Sequence, residues 1–204
     1  MPKVFPQYAL LDVKYLMSLP ENITINTSID ALSHLIEGYL SSKSNIISDA
    51  LAEKGLKLFG ECLNMIKEKE FTYVVREKLM LASSIAGMVI AQSGTSLPHG
   101  MGYALTYFHN IPHGKANGIL LKSYLQFSEN KHRVRKILYL LTIENLDELG
   151  DFLNDMLGSI DNISYKDICS YAETMALNKD KLKNHPTPVK KEDILKMYKD
   201  SLNL

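Results

Sequence analysis

Residues 29–40 read Ile-Asp-Ala-Leu-Ser-His-Leu-Ile-Glu-Gly-Tyr-Leu. The apolar members Ile29, Leu32, Leu35, Ile36, Tyr39 and Leu40 recur every three or four residues, the spacing of one face of an α-helix. Asn26 or Thr27 stands before them as a helix cap. The same period continues downstream. It predicts a second helix from about Ser48 to Met65, with Leu51, Leu56, Leu58, Phe59 and Leu63 as its apolar positions, and a third from about Thr72 to Ala91. In the third, Ala82–Gly87 is rich in small residues, which let a neighbouring helix approach closely and place this segment centrally. Breaks at Ser93–Pro98 and Asn110–Pro112 set off a short helix over His99–Phe108 and another from about Gly114 to Phe127. Weaker helices are expected near 132–142, 145–157, 164–176 and 191–202, with the Lys-rich stretch Asn178–Pro188 as a surface loop. No series of strands, heptad pattern or internal repeat is visible. The expectation is an all-α protein of about eight helices. Residues 21–204 form one domain, and residues 1–20, which hold three of the seven prolines, form an extended entry segment.

Composition narrows the function classes. Of the 204 residues 46% are hydrophobic, which suits a globular chain that can bury a core without staples. Lys+Arg and Asp+Glu balance at 23 each, so no electrostatic footprint for nucleic acid or an anionic membrane is present. The longest near-apolar run, Leu79 to Ala91, is shorter than the roughly 20 residues a membrane span needs, and reads as a buried core helix. Cys62 and Cys169 are far apart and form no CxxC, as expected of two reduced thiols in a cytoplasmic protein. The opening Met1-Pro-Lys-Val-Phe5 lacks the apolar stretch of a signal peptide.

The candidate chemistry lies in the histidines. Asp30 and His34 stand at i and i+4, so both side chains leave one helix face, roughly 5–6 Å apart at Cβ. Two Pro-His-Gly triplets place His99 and His113 14 residues apart. A helix of about nine residues between them would span roughly 14 Å, and both imidazoles meet one point if the second loop folds back. One carboxylate and three imidazoles suit Fe(II) or Zn(II), and four protein ligands leave a position for a substrate oxygen. Glu37, seven residues past Asp30, returns to the same face and would orient a ligand. His109 reads as a nearby polar residue outside the ligand set, and His132 and His185 as surface residues.

These motifs carry a family resemblance. Asp30-Ala-Leu-Ser-His34-Leu-Ile-Glu37-Gly-Tyr39, followed by Pro-His99-Gly-Met-Gly-Tyr103 and Pro-His113-Gly-Lys-Ala-Asn117-Gly-Ile-Leu-Leu, resembles the iron-containing (group III) alcohol dehydrogenases over essentially the whole chain. The resemblance implies an all-α orthogonal bundle of the kind that forms the C-terminal domain of that family. It implies Asp30, His34, His99 and His113 as metal ligands, with Fe(II) favoured and Zn(II) the alternative. It implies alcohol/aldehyde interconversion in which the metal polarises the substrate oxygen and hydride passes to NAD(P). In the family an N-terminal nucleotide-binding domain carries most of the cofactor site. Gly100-Met-Gly102 is not a dinucleotide fingerprint, and no other glycine-rich phosphate loop occurs here, so no cofactor-binding residue is assigned. The chain resembles the catalytic half alone, with a separately supplied nucleotide domain as an expected partner.

Tyr103 departs from the family pattern. Many members carry a further histidine there, facing cofactor and substrate. A phenol keeps its proton at neutral pH, where an imidazole exchanges one, so Tyr103 is a candidate catalytic residue as a hydrogen-bond donor. Two other readings follow from the residues. A non-catalytic metal-binding or self-associating helical remnant would expose an apolar face and form homo-oligomers. An all-α metallohydrolase would use a metal-bound water, but no HD dipeptide or second acidic pair supports it.

Overall fold

The computed structural model describes residues 6–204. The expectation for the entry segment falls partly on residues 1–5, which lie outside the described residues. Residues 6–12 carry no regular element, and Val13–Leu16 make a 3-10 turn capped by the Asp12 carboxylate, which accepts from Lys14 N–H at 2.9 Å. Twelve α-helices and no β-strand follow among the described residues. They are α1 (Glu21–Leu40), α2 (Ile46–Gly60), α3 (Leu63–Lys67), α4 (Tyr73–Ser93), α5 (Leu97–His109) and α6 (His113–Gly118). The second half holds α7 (Leu121–Phe127), α8 (Lys131–Leu141), α9 (Leu146–Leu157), α10 (Tyr165–Ala176), α11 (Lys179–Leu182) and α12 (Lys191–Leu202). No helix among them is long and apolar enough to cross a membrane.

α1 is the axis of the fold. It packs on α2, α4 and α6, and α2 packs on α4 and α8. Its buried face holds Ile25, Ile29, Leu32, Leu35, Ile36, Tyr39 and Leu40, the residues the period identified plus one turn upstream. The helix starts earlier than the sequence suggests. Its N-cap is Pro20, whose fixed φ suits a helix entrance, and not Asn26 or Thr27. Thr27 bonds instead back to the Ile23 carbonyl within the helix, and Asn26 to Asn22.

Three other boundaries differ, each for a local reason. The helix expected over 48–65 is broken at Glu61–Cys62, where Gly60 lies against the Leu140–Leu141 backbone; a Cβ there would sit 2.3 Å from the Leu140 carbonyl oxygen. The helix expected over 114–127 is two, α6 and α7, joined at Ile119–Leu120. The Lys-rich stretch is not a plain surface loop. It contains the single turn α11, and Ser42 N–H donates to the Asn184 carbonyl at 2.8 Å, tying it to the end of α1. His185 is likewise not a surface residue. It is 5% exposed and packs against Tyr124 and Phe127. Burial pulls its pKa below that of free imidazole.

The central placement of α4 holds for one face only. Leu79, Ala82, Ala86 and Val89 are buried, while Leu81, Gly87 and Met88 face outward. Gly38 of α1 makes the close approach possible, since a Cβ there would fall 2.3 Å from Val89 Cγ1. Arg76 of α4 fixes the entry segment. Its buried guanidinium donates to the carbonyls of Leu16, Leu19 and Phe71 and to Thr24 Oγ1, so the chain enters α1 along a set path.

Candidate metal centre

Asp30, His34 and Glu37 project from one face of α1, as their spacing requires. His99 sits in the first turn of α5, behind Pro98, and His113 opens α6 behind Pro112. Between α5 and α6 the chain reverses through Asn110, which adopts a left-handed conformation (φ 54°). That reversal brings the His99 and His113 rings to 5.2 Å centroid separation, the fold-back that the two Pro-His-Gly triplets require. One potential ligand atom from each of Asp30, His99 and His113 lies within 4.8 Å of the other two. His34 stands beside this trio. Its ring stacks on His99 at 4.2 Å, and its Nδ1 is 3.8 Å from Asp30 Oδ2.

α6 is docked onto α1 by backbone contact. A Cβ on Gly114 would lie 1.8 Å from the Asn26 carbonyl oxygen, so only glycine fits there. Asn26 Oδ1 accepts from Lys115 N–H at 3.1 Å, capping one of the free amides at the start of α6. Asn26, four residues before Asp30, thus positions His113 as a neighbour of Asp30.

Glu37 lies beneath the site and is completely buried. Its Oε1 accepts from His99 Nδ1 at 2.5 Å, and its Oε2 from Ser96 N–H at 2.6 Å. This bond makes Nδ1 the protonated nitrogen and turns Nε2 toward Asp30. His99 Nε2 is buried without a hydrogen-bond partner, 3.4 Å from Asp30 Oδ1 but out of alignment for a bond. Nε2 then faces a carboxylate oxygen across a short gap, an arrangement that either a proton on Nε2 or a cation between the two atoms would satisfy.

The electrostatics agree. Burial raises the Asp30 pKa, but the His99 ring, the charge of His34 and the Asn117 amide outweigh it and hold the group at about 2. Burial lowers the His99 pKa, but Glu37 and Asp30 outweigh it and bring it to about 9. Burial foremost pulls the pKa values of His34 and His113 below the ordinary imidazole value. A proton on His99 or a divalent ion among the four groups satisfies the same demand for positive charge. The donor set of three nitrogens and one oxygen fits a borderline divalent ion.

Asn117 belongs to the cluster and carried no role in the sequence reading. Its amide donates to Asp30 Oδ1 at 2.9 Å and to His113 Nε2 at 3.1 Å. The available signal was its position four residues after His113, one helical turn on. Tyr103 sits at the rim, 48% exposed, its ring parallel to that of His113 at 5.7 Å. His109 is held away from the ligands, bonded to the Tyr171 hydroxyl at 2.9 Å.

Asp30, His99 and His113, with His34 beside them, bring one carboxylate and three imidazoles together in an all-helical fold. The chain belongs to the iron-containing alcohol dehydrogenase family, whose C-terminal part matches residues 24–202. It is 36% identical over 133 residues to 1-propanol dehydrogenase PduQ of Salmonella typhimurium, covering 65% of this chain and 36% of that protein. It is 33% identical over 129 residues to lactaldehyde reductase of Escherichia coli, covering 62% of this chain and 33% of that protein. The iron-containing alcohol dehydrogenase of Thermotoga maritima superposes with a TM-score of 0.88 at 36% identity, covering 98% of this chain and 55% of that one. The chain therefore spans about half the length of that solved relative.

Proposed function

We propose that this chain is the metal-bearing catalytic part of an NAD(P)-dependent alcohol dehydrogenase. Asp30, His34, His99 and His113 hold the divalent ion, Fe(II) by preference and Zn(II) as the alternative. The observation that carries this reading is the buried, unpartnered His99 Nε2 held facing Asp30 by the Glu37 carboxylate. A bound ion supplies Lewis acidity toward the oxygen of an alcohol or aldehyde.

The chain's own residues do the rest. Glu37 fixes the His99 tautomer, and Asn117 orients Asp30 and His113. Tyr103 forms one wall of the approach to the cleft and offers a hydroxyl as hydrogen-bond donor to substrate, in place of the imidazole that many relatives use. Hydride transfer needs a nicotinamide held against the substrate carbon. No glycine-rich phosphate loop occurs among these 204 residues, so the reading assigns that task to a nucleotide-binding domain outside them. Residues 1–20 then act as the linker to that domain, and the exposed Tyr107 and Phe108 are surfaces for association with it or with a second copy.

His34 is the ligand whose position most needs testing, because it stacks on His99 and is not part of the closest trio. Co(II) added to the chelator-treated protein is expected to give d–d absorption bands, and His34→Ala to change their energies and weaken binding by at least about tenfold. Identical spectra and affinity in His34→Ala would remove His34 from the ligand set.

A further inference from the structure

Two buried hydroxyls lie close to Glu37, Ser96 Oγ and Tyr124 Oη. Ser96 is the N-cap of α5, three residues before His99, and is completely buried. Tyr124 belongs to α7 and is 1% exposed. The two hydroxyls are neighbours, and neither has another hydrogen-bond partner among the described residues. A buried hydroxyl left unpaired costs about 1–3 kcal/mol, a cost that two adjacent hydroxyls remove by bonding to each other.

Glu37 couples this pair to the ligands. Ser96 N–H donates to Glu37 Oε2 at 2.6 Å, and Glu37 Oε1 accepts from His99 Nδ1 at 2.5 Å. Burial foremost, and then the Glu37 carboxylate, push the Tyr124 pKa well above that of a free phenol, against the opposing effect of the Ser96 hydroxyl. The phenol therefore keeps its proton. It is the more acidic of the two hydroxyls, so it supplies the hydrogen and Ser96 Oγ accepts. We propose that Tyr124 is a positioning residue for the metal centre: its hydroxyl bonds to Ser96 Oγ, and through the Ser96 N–H it holds Glu37 against His99. The inference rests on the metal-binding reading above, since the group positioned is a ligand of the proposed ion.

The fold gives Tyr124 a firm base and leaves Ser96 available to it. α7 packs on α9 and α12, and neither carries a ligand. The Tyr124 ring meets the buried His185 ring edge-on at 5.8 Å. A serine at an N-cap ordinarily turns its hydroxyl to the amides of the first helical turn. Ser96 makes no such bond. Glu37 takes that place, because its Oε2 also lies 3.5 Å from the His99 N–H that the serine would cap. The Ser96 hydroxyl is thus released from its usual task and lies beside Tyr124 instead.

The test is a double-mutant cycle on the 204-residue protein, with Tyr124→Phe, Ser96→Ala and the two combined. Co(II) reports on the centre through its d–d bands and through its affinity in competition with a chelator. Hydrogen exchange of the Ser96 amide in the chelated protein reports on the same support without any ion. Tyr124→Phe keeps the ring that fills the core and removes one oxygen. It is expected to shift the bands, weaken Co(II) binding about fivefold and speed Ser96 exchange about fivefold. Ser96→Ala should have the same effect on bands and affinity, and it decides the matter if Tyr124→Phe does not fold. The double variant should lose no more affinity than the worse single one, because neither hydroxyl is then left without its partner. Ser128→Ala removes another buried, unpartnered hydroxyl, at the end of α7, and should leave bands and exchange unchanged. Unchanged bands, affinity and exchange in Tyr124→Phe would overturn the proposal, as would losses that add in the double variant. The same shifts in Ser128→Ala would also overturn it, because Tyr124 would then act through stability alone. A wild type that binds no Co(II) would count against the metal-binding reading, while faster Ser96 exchange in Tyr124→Phe would still show that Tyr124 supports Ser96.

Discussion

Glu37→Gln is expected to lower the affinity for a divalent ion by about 10- to 100-fold, although glutamine has the same shape and residue 37 touches no ion. The buried carboxylate accepts from His99 Nδ1 on one oxygen and from Ser96 N–H, with a longer bond from His99 N–H, on the other. A glutamine amide has one oxygen and one NH2, so whichever way it turns, a donor meets a donor. Either the Ser96 amide is left unpaired at the start of α5, or His99 must present the other tautomer. The second choice puts a proton on Nε2, the atom facing Asp30, and spoils it as a ligand. The first costs about 1–3 kcal/mol for an unsatisfied buried group. Competition with a chromophoric chelator measures the affinity, and urea unfolding measures the stability. Wild-type affinity in Glu37→Gln would mean that Glu37 does not set the His99 tautomer.

Gly114→Ala is expected to be more disruptive than any other single-methyl addition near the cleft. The new Cβ would lie 1.8 Å from the Asn26 carbonyl oxygen and 2.6 Å from its carbonyl carbon. Both atoms belong to the backbone of α1, a helix of 20 residues packed against α2 and α4, so they cannot step aside as a side chain would. α6 must move instead. That breaks the Lys115 N–H bond to Asn26 Oδ1 and carries His113 away from Asp30. The expected loss is about 3 kcal/mol of stability, from overpacking and the broken bond together. Metal affinity should fall even where the variant stays folded. A thermal melt and the chelator competition, run on the same sample, check the two effects. A Gly114→Ala protein with unchanged melting and affinity would show that α6 is not docked through this contact.

The fold was legible where the apolar period was long and undisturbed. The face of α1 from Ile29 to Leu40, and the spans of α8, α9, α10 and α12, follow from local spacing, because one buried face decides each of them. The errors arise where tertiary contact overrides local pattern. The break at Glu61–Cys62 follows from Gly60 meeting the backbone around Leu140, eighty residues on, which no window of sequence contains. The burial of His185 is similar. A histidine among lysines and prolines reads as exposed, yet the Asn184 and Ser42 contacts draw it against Tyr124 and Phe127.

The candidate site was legible in its ligand types and spacing, since i, i+4 on one helix and two Pro-His-Gly turns are local facts. The structure adds which groups act on which. Glu37 could be placed on the right face by counting, but its hold on both His99 and Ser96 depends on how α5 meets α1. Asn117 gave no sequence signal strong enough to single it out, because its partner on α1, Asp30, lies 87 residues away.

The central claim is that this helical chain by itself builds a metal centre from Asp30, His34, His99 and His113. The direct measurement is metal content after anaerobic purification, with Fe(II) and Zn(II) offered, on the wild type and on His99→Ala side by side. The account predicts close to one ion per chain in the wild type and a loss of at least about tenfold in the variant. No bound ion in the wild type, or equal content in both proteins, would contradict it.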